Sequence, residues 1–321
     1  MPDTTDLSII GTGAWGTALA VLYAQQGRRV ALIARTPDRA VRLADTRHNT
    51  NLPGITLPDT LIITAEPRSA PITLLCPPFQ HLRATLARLP DNGGALILCC
   101  KGVERDTSLL GPEIAAQCHH NRPIGLLTGP NFAHEIAAGL PAAAVLAMAD
   151  TRARRALIAA LATPQLRLYG SQDITGAALG GAAKNVIALA AGAVIGAGLG
   201  ENARAALITR GLAEIARLAV ALGGAAETIA GLAGLGDLIL TATGGASRNY
   251  RAGLALGRGD PPDLTAGVVE GIATAPALLA RATAAGCDMP ITAALTDLLA
   301  QRTSLADCIA RLMRRDLRDE T

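Results

Sequence analysis

The 321-residue sequence predicts an α/β protein in two parts, a doubly wound parallel sheet over 1–170 and an all-helical half over 171–321. Three observations predict it. Up to about residue 169, short apolar runs alternate with amphipathic segments, the pattern of parallel strands whose crossovers are helices. Beyond Ser171 the β-branched runs give way to long Ala/Leu segments of helical period. The length exceeds one comfortable core, and 50% hydrophobic against 17% charged residues leaves apolar area enough to fold both parts.

In chain order, strands are expected over 7–10, 29–34, 61–64, 72–76, 95–100, 124–128, 142–147 and 166–169, with helices between several of them, including 17–26 and 152–162. The second half offers helices over 173–198, 203–222, 265–285, 291–300 and 305–317. Gly-Arg-Gly-Asp-Pro-Pro at 257–262 reads as a surface turn. Abundant alanine favours helix and lets helices approach closely. The uncharged stretch 186–200 is short of the roughly 20 apolar residues of a bilayer span, so it reads as a buried helix.

Composition narrows the function classes. A net charge of +3 with one Trp, three Tyr and two Phe supplies no basic, aromatic-lined groove for nucleic acid. Six cysteines show no CxxC pair and no histidine at zinc spacing, so reduced thiols in a cytoplasmic protein without a metal are expected. Asp3 and Asp6 precede a glycine-rich turn, with no basic region of an export signal. Of the 29 basic residues only Lys101 and Lys184 are lysine. Arginine stays cationic at any working pH, whereas a lysine can be tuned to transfer a proton, so both positions are marked.

The first strand runs into Gly11-Thr12-Gly13-Ala14-Trp15-Gly16, a G-x-G-x-x-G followed at once by a helix-forming run. In that setting the glycines permit the tight turn, the close approach of a pyrophosphate and the packing of helix on strand, the signature of a Rossmann-type dinucleotide site. Where an NAD-specific site usually places an acid, the second strand ends on Arg35. An arginine pairs with a 2′-phosphate, which favours NADP over NAD; the alternative is a solvated surface arginine.

Lys101 follows the run 95–100, and Gly129-Pro130-Asn131-Phe132-Ala133 follows 124–128, so both fall at the carboxyl edge of the sheet where ligands sit. Lys184 and Asn185 interrupt an apolar helix. A charge there is paired, shifted in pKa or facing a polar cavity, unless it snorkels to the helix edge. Asp237, Thr241 and Ser247-Arg248-Asn249 form a second polar island, either a capped turn or a fork for a phosphate dianion.

These blocks, in order, resemble the bacterial NAD(P)-dependent glycerol-3-phosphate dehydrogenase family: GTGAWGTALA at 11, KG at 101, GPNFAHEIAAGLP at 129, LGGAAKNVIALAAG at 179, ENARAALITRGLAEIARL at 201, GLAGLGDLILT at 231, SRN at 247, VVEG at 268 and MPIT at 289. The resemblance implies a Rossmann-type domain joined to a helical domain like that of 6-phosphogluconate dehydrogenase, with the active site between them. It implies reversible reduction of dihydroxyacetone phosphate to sn-glycerol 3-phosphate by NAD(P)H, for phospholipid synthesis. By the same resemblance Lys184 is the general acid/base with Lys101, Asn185 and Asp237 as catalytic partners. Lys101, Gly129, Asn131, Lys184, Asp237, Ser247, Arg248 and Asn249 meet the substrate. Gly11, Gly13, Ala14, Trp15, Gly16, Arg35, Lys101, Ala133, Arg248, Val268 and Glu270 meet the cofactor. Asn131 and Pro78-Phe79 stand where relatives often carry Ser or Thr and a Pro-Ser pair.

Ketone reduction needs a hydride on carbon and a proton on oxygen at one geometry. Lys184 is the expected proton donor, its pKa lowered by Lys101, with Asp237 orienting and offsetting both. Two rivals are a hydroxy-acid dehydrogenase of the same architecture and a non-catalytic NADP(H) sensor. The Lys-Asn pair combined with Ser-Arg-Asn disfavours the first, and a sensor has no need of Lys184, Asp237 and Arg248 together. An apolar helical half makes a homodimer plausible.

Overall fold

The computed structural model describes residues 5–90, 94–265 and 267–313. Eight strands form one sheet: β1 Leu7–Ile10, β2 Val30–Ile33, β3 Ile62–Thr64, β4 Ile72–Leu75, β5 Ala95–Leu98, β6 Ile124–Thr128, β7 Ala142–Ala147 and β8 Leu166–Ser171. All eight expected strands are present. Their order is β3-β2-β1-β4-β5-β6-β7-β8, so the direction of winding reverses between β1 and β4. That switch point opens a crevice at the carboxyl ends of the strands. The expected all-parallel sheet needs one correction: β7 runs antiparallel to β6, and β8 is parallel to β7. The connection over 129–141 holds only a five-residue helix, Ala133–Ala137, which does not carry the chain back across the sheet.

The helices on the sheet are α1 Ala14–Gln25, α2 Pro37–Thr46, α3 Leu82–Leu86, α4 Gly111–Cys118, α5 Ala133–Ala137 and α6 Thr151–Leu161. The central strands are buried on both faces, as continuous apolar runs require. Ile9, Leu32, Leu74 and Ile97 face α1 and α6, in a cluster with Leu19 and Leu161. Their neighbours Leu75 and Leu98 face the other way, into a cluster that also holds Leu82, Ile114 and, from the second half, Leu179, Ala182 and Val186. One hydrophobic core therefore runs from the sheet into the helical half.

That half comprises α7 Ile174–Gly196, α8 Gly200–Ala221, α9 Ala226–Ala230, α10 Asp237–Ala242, α11 Arg248–Arg258, α12 Glu270–Ala284, α13 Pro290–Leu299 and α14 Leu305–Met313. A π-helical turn, Leu232–Gly236, leads directly into α10. Several helix boundaries differ from expectation, two of them near the site. The turn expected over 257–262 begins later, because α11 continues through Arg258 and is stopped by left-handed Gly259 at φ 85°. The helix expected from 265 starts at Glu270, after Gly267 at φ 114°. The end expected for the last helix lies beyond the described residues.

α7 is the axis of the half. Among the described residues it is the one helix long and apolar enough to cross a membrane, with mean hydropathy 1.6, and 94% of that stretch is buried inside the protein. Asp173 caps it, accepting from the Gly176 amide at 2.7 Å, and reaches across to the Ala225 amide at 2.8 Å. Glycines let α11 lie almost backbone to backbone against it. A Cβ at Gly192 or Gly196 would overlap the Tyr250 or Leu254 carbonyl, and one at Gly253 or Gly257 the Leu189 or Ala193 carbonyl.

Candidate active site

The crevice at the switch point opens into a cleft of about 1060 Å³ that reaches from the glycine-rich turn to α7, α10 and α11. Gly11, at φ 112°, lies against the end of β4, where a Cβ would stand 2.7 Å from the Cys76 carbonyl. A Cβ on Gly16 would overlap the Gly11 carbonyl and come 3.1 Å from the Cys76 Cβ, so this glycine closes helix onto strand and does not line the cleft. Gly13 has no neighbour within 4 Å at its missing Cβ. It lines the cleft with Ala14 and Trp15 and caps the first helix, leaving open backbone at a helix N-terminus.

At the other end both lysines converge on one carboxylate. Lys101, three residues past the end of β5, donates to Asp237 Oδ2 at 2.6 Å and to the Gly129 carbonyl at 3.3 Å. Lys184 donates to Asp237 Oδ1 and, at 2.9 Å, to Thr241 Oγ1. Thr241 in turn donates to the Asp237 carbonyl at 2.6 Å, so its hydroxyl lone pairs face Lys184. Asp237 is 1% exposed and Lys184 9%. Burial pushes the Lys184 ammonium down to about 8, helped by the Lys101 cation and resisted by Asp237. An ammonium has three N–H groups, and each lysine spends two on these partners. One N–H per lysine remains, in a set of two cations and one anion.

Local packing makes the set possible. A Cβ on Gly181, one turn before Lys184, would stand 2.9 Å from Thr128 Oγ1 and 3.5 Å from Lys101 Cγ and Cδ, so this glycine clears the path of the Lys101 side chain. Gly180 does the same for the π-helical turn, since a Cβ there would sit 2.6 Å from the Ala233 carbonyl. That turn delivers Asp237 to the base of the cleft; π-turns recur at functional positions because they re-aim side chains within a helix.

The start of α11 supplies the remaining wall. Ser247 caps the helix by accepting from the Tyr250 amide at 3.2 Å. Asn249 donates to Asn185 Oδ1 at 2.9 Å and accepts from the Gly271 amide at 2.8 Å. Asn185 therefore bonds to Asn249, and no bond links it to Lys184 or Asp237. Glu270 accepts from the Phe79 amide at 3.0 Å, and its other oxygen is buried without a partner. Burial raises the Glu270 carboxyl above its usual range, and burial likewise lowers the Arg248 guanidinium, each charge partly relieving the other. Asn131 Oδ1 is a second orphan, while its amide donates to the Ala143 carbonyl at 3.2 Å. Two unpartnered buried acceptors on one cleft are what a ligand with N–H or O–H donors would satisfy.

Most of the residues singled out in the sequence meet in this one cleft, from Arg35 at one end to Ala133, Arg248 and Val268 at the other. Gly16 and Gly129 act from behind it, the second through its carbonyl on Lys101. Sequence reasoning left out Thr241 as a Lys184 partner, Gly181, and the group Arg39, Asn49 and Asn51, which bonds to the glycine-rich turn. The i,i+4 spacing of Thr241 from Asp237 was the one available signal.

A doubly wound sheet with an open glycine turn at its switch point, and a tuned proton-transfer group at the far end of the same cleft, defines a dinucleotide-linked dehydrogenase. Comparison with known proteins narrows the class. The patterns described as NAD-dependent glycerol-3-phosphate dehydrogenase N-terminus and C-terminus match residues 6–154 and 173–310. The chain is 71% identical over 315 residues to a glycerol-3-phosphate dehydrogenase [NAD(P)+] of Acidiphilium cryptum, covering 98% of each. It is 50% identical to that of Gluconobacter oxydans, covering 94% of each. The crystal structure of glycerol-3-phosphate dehydrogenase from Coxiella burnetii superposes with a TM-score of 0.91 at 33% identity, over 98% of this chain and 100% of that one. The chain belongs to the NAD-dependent glycerol-3-phosphate dehydrogenase family.

Proposed function

We propose that the chain catalyses reversible reduction of dihydroxyacetone phosphate to sn-glycerol 3-phosphate with NAD(P)H, a step that supplies glycerophospholipid synthesis. The observation that carries this reading is the Lys101–Asp237–Lys184 set, built on a buried carboxylate at the end of a cleft that begins on an open glycine turn. The residues fit the dinucleotide: Gly11, Gly13, Ala14, Trp15 and Gly16 form the pyrophosphate turn, Arg35 meets the ribose, and Lys101, Ala133, Arg248, Val268 and Glu270 flank the nicotinamide end. When bound, the dinucleotide supplies or accepts the hydride.

The chain's own residues handle the proton. The free N–H of Lys184 polarises the ketone oxygen and gives it a proton; in the reverse direction the neutral amine takes the proton from the hydroxyl. A pKa of about 8 suits both, because near pH 7 the ammonium dominates while a neutral fraction of about a tenth is present to accept a proton. Asp237 keeps the two ammonium groups together and fixes their direction through its two oxygens. The net positive charge of the set favours the electron-rich oxygen that develops during hydride addition. The side chains of Arg248 and Asn249, with Ser247 and Asn131 beside them, hold the substrate phosphate and hydroxyl, and Gly129 contributes from behind through its carbonyl on Lys101.

The domains in this reading are residues 1–170 for the cofactor and 171–321 for the substrate, with NADP favoured by Arg35, in a cytoplasmic homodimer. Purified protein given dihydroxyacetone phosphate and NADPH should oxidise NADPH, seen as loss of its near-ultraviolet absorbance, and unphosphorylated dihydroxyacetone should react poorly. No loss with the phosphate ester, or equal turnover of both ketones, would refute the reading.

A further inference from the structure

The glycine-rich turn is held by residues to which neither the motif nor the resemblance gives a role. Arg39, in the first turn of α2, donates through Nε to Thr12 Oγ1 at 2.6 Å and through Nη2 to the Thr12 carbonyl at 3.0 Å. Asn49, 2% exposed, donates to the same carbonyl at 3.0 Å and to Thr17 Oγ1 at 2.7 Å, while its oxygen meets Arg39 Nη2 at 3.2 Å. Asn51 adds a third donor to that carbonyl at 3.2 Å.

Three side chains thus fix the carbonyl of the one residue between Gly11 and Gly13. A trans peptide is planar with C=O and N–H opposed, so fixing the Thr12 oxygen fixes the Gly13 N–H on the opposite side of that peptide. Gly13 lines the cleft and has nothing against its missing Cβ. Without the clamp, two glycines flanking one residue would leave this peptide free to rotate.

Arg39 also differs in placement from the other arginines on this wall. Arg35 and Arg42 line the same cleft and are exposed, whereas Arg39 is half-buried with its guanidinium spent on Thr12 and Asn49. No ion pair neutralises any of the three among the described residues. The two exposed cations remain for a phosphate on the ribose, and the half-buried one faces the turn.

We propose that Arg39 is a positioning residue for the dinucleotide, acting through Thr12 to set the Gly13 amide for the pyrophosphate, and therefore serving NADH and NADPH alike. This rests on the placement of the dinucleotide along the cleft. The test is fluorescence titration of the full-length protein with NADH and with NADPH, together with kcat at saturating cofactor and the melting temperature. Arg39→Ala should raise both dissociation constants by a common factor of about ten, the loss of roughly one charge-assisted hydrogen bond, with kcat at saturation retained. Arg39→Lys, which restores one donor without the fork, should fall between; Asn51→Ala should give a smaller rise of the same kind. Arg35→Ala should raise the NADPH constant alone. A purely structural role would lower the melting temperature and the active fraction while leaving the affinity of the folded protein unchanged, and that result would overturn the proposal. So would a loss confined to NADPH in Arg39→Ala. If Arg39→Ala is silent while Arg35→Ala discriminates, the positioning role alone falls. If both leave NADPH binding untouched, the placement of the dinucleotide falls with it.

Discussion

At the scale of single residues, the question is why a chain that uses arginine at 27 of 29 basic positions keeps lysine at two. Both lysines share the oxygens of Asp237, and an ammonium, unlike a guanidinium, can point three N–H groups from one nitrogen at a carboxylate, a second acceptor and a ligand; at Lys184 it also titrates at about 8. Lys184→Ala should lose turnover by about 10²- to 10⁴-fold, the usual worth of a positioned proton donor, while still binding NADPH. Lys184→Arg and Lys101→Arg should each lose most activity as well. With Lys184 at about 8, ketone reduction should fall as pH rises through 8 and alcohol oxidation should rise over the same range. Asp237→Asn removes the charge that holds the ammonium up, so both limbs should move to lower pH; unmoved limbs would take Lys184 out of the proton path. The lysines were legible because they are rare in this sequence. Their meeting point was not, since Asp237 lies 136 and 53 positions from them and only the π-helical turn and α7 bring it there. Arg39 was illegible for the opposite reason: on a polar helix of a chain rich in arginine, nothing in its neighbours marks it.

At the scale of elements, strand positions could be read directly, because strands buried on both faces appear as unbroken apolar runs. Helix ends near the site were harder: Gly, Pro and Asp cluster there in the sequence, yet α11 runs on through Gly253 and Gly257 because those glycines are needed against α7. Overpacking of that kind costs about 1–3 kcal/mol. Gly253→Ala should therefore lower the melting temperature by several degrees and, because α11 carries Arg248 and Asn249, raise the KM for substrate; Gly245→Ala, with nothing within 4 Å, should do neither. A second element contact is pH-sensitive. Glu214 on α8 is 1% exposed and caps α13, accepting from the Ile291 amide at 2.7 Å. Burial pushes its carboxyl from 4.5 up to about 7, against the pull of those amides. The folded state then binds a proton more tightly than the unfolded one, so stability from this group is intact below about 4.5 and is lost as pH rises to about 7, by an amount on the order of 3 kcal/mol. Glu214→Gln removes the titration. Its melting temperature relative to the parent should become more favourable from pH 5 to pH 8, and a constant difference across that range would assign the cap no titration.

At the scale of the molecule, the sequence implies two units, and the packing makes them one. Leu75 and Leu98 of the sheet share a core with Leu179, Ala182 and Val186 of α7, so separating the halves would expose apolar surface on both. Polar ties cross the same boundary: Arg281 of α12 pairs with Glu113 of α4 at 2.6 Å, Glu270 holds the Phe79 amide, and Lys101 reaches Asp237. The last of these joins part-buried Lys101 to buried Asp237, and parting the halves would leave Asp237 with Lys184 alone. The two halves should therefore unfold in one calorimetric transition, with the van't Hoff and measured enthalpies in agreement. NADPH should raise the midpoint of that single transition by mass action, since both halves line the cleft. Two resolved transitions, with NADPH shifting only the first to melt or only the second, would mean that each half is stable alone. The proton-transfer set would then be assembled by docking rather than built into the folded state.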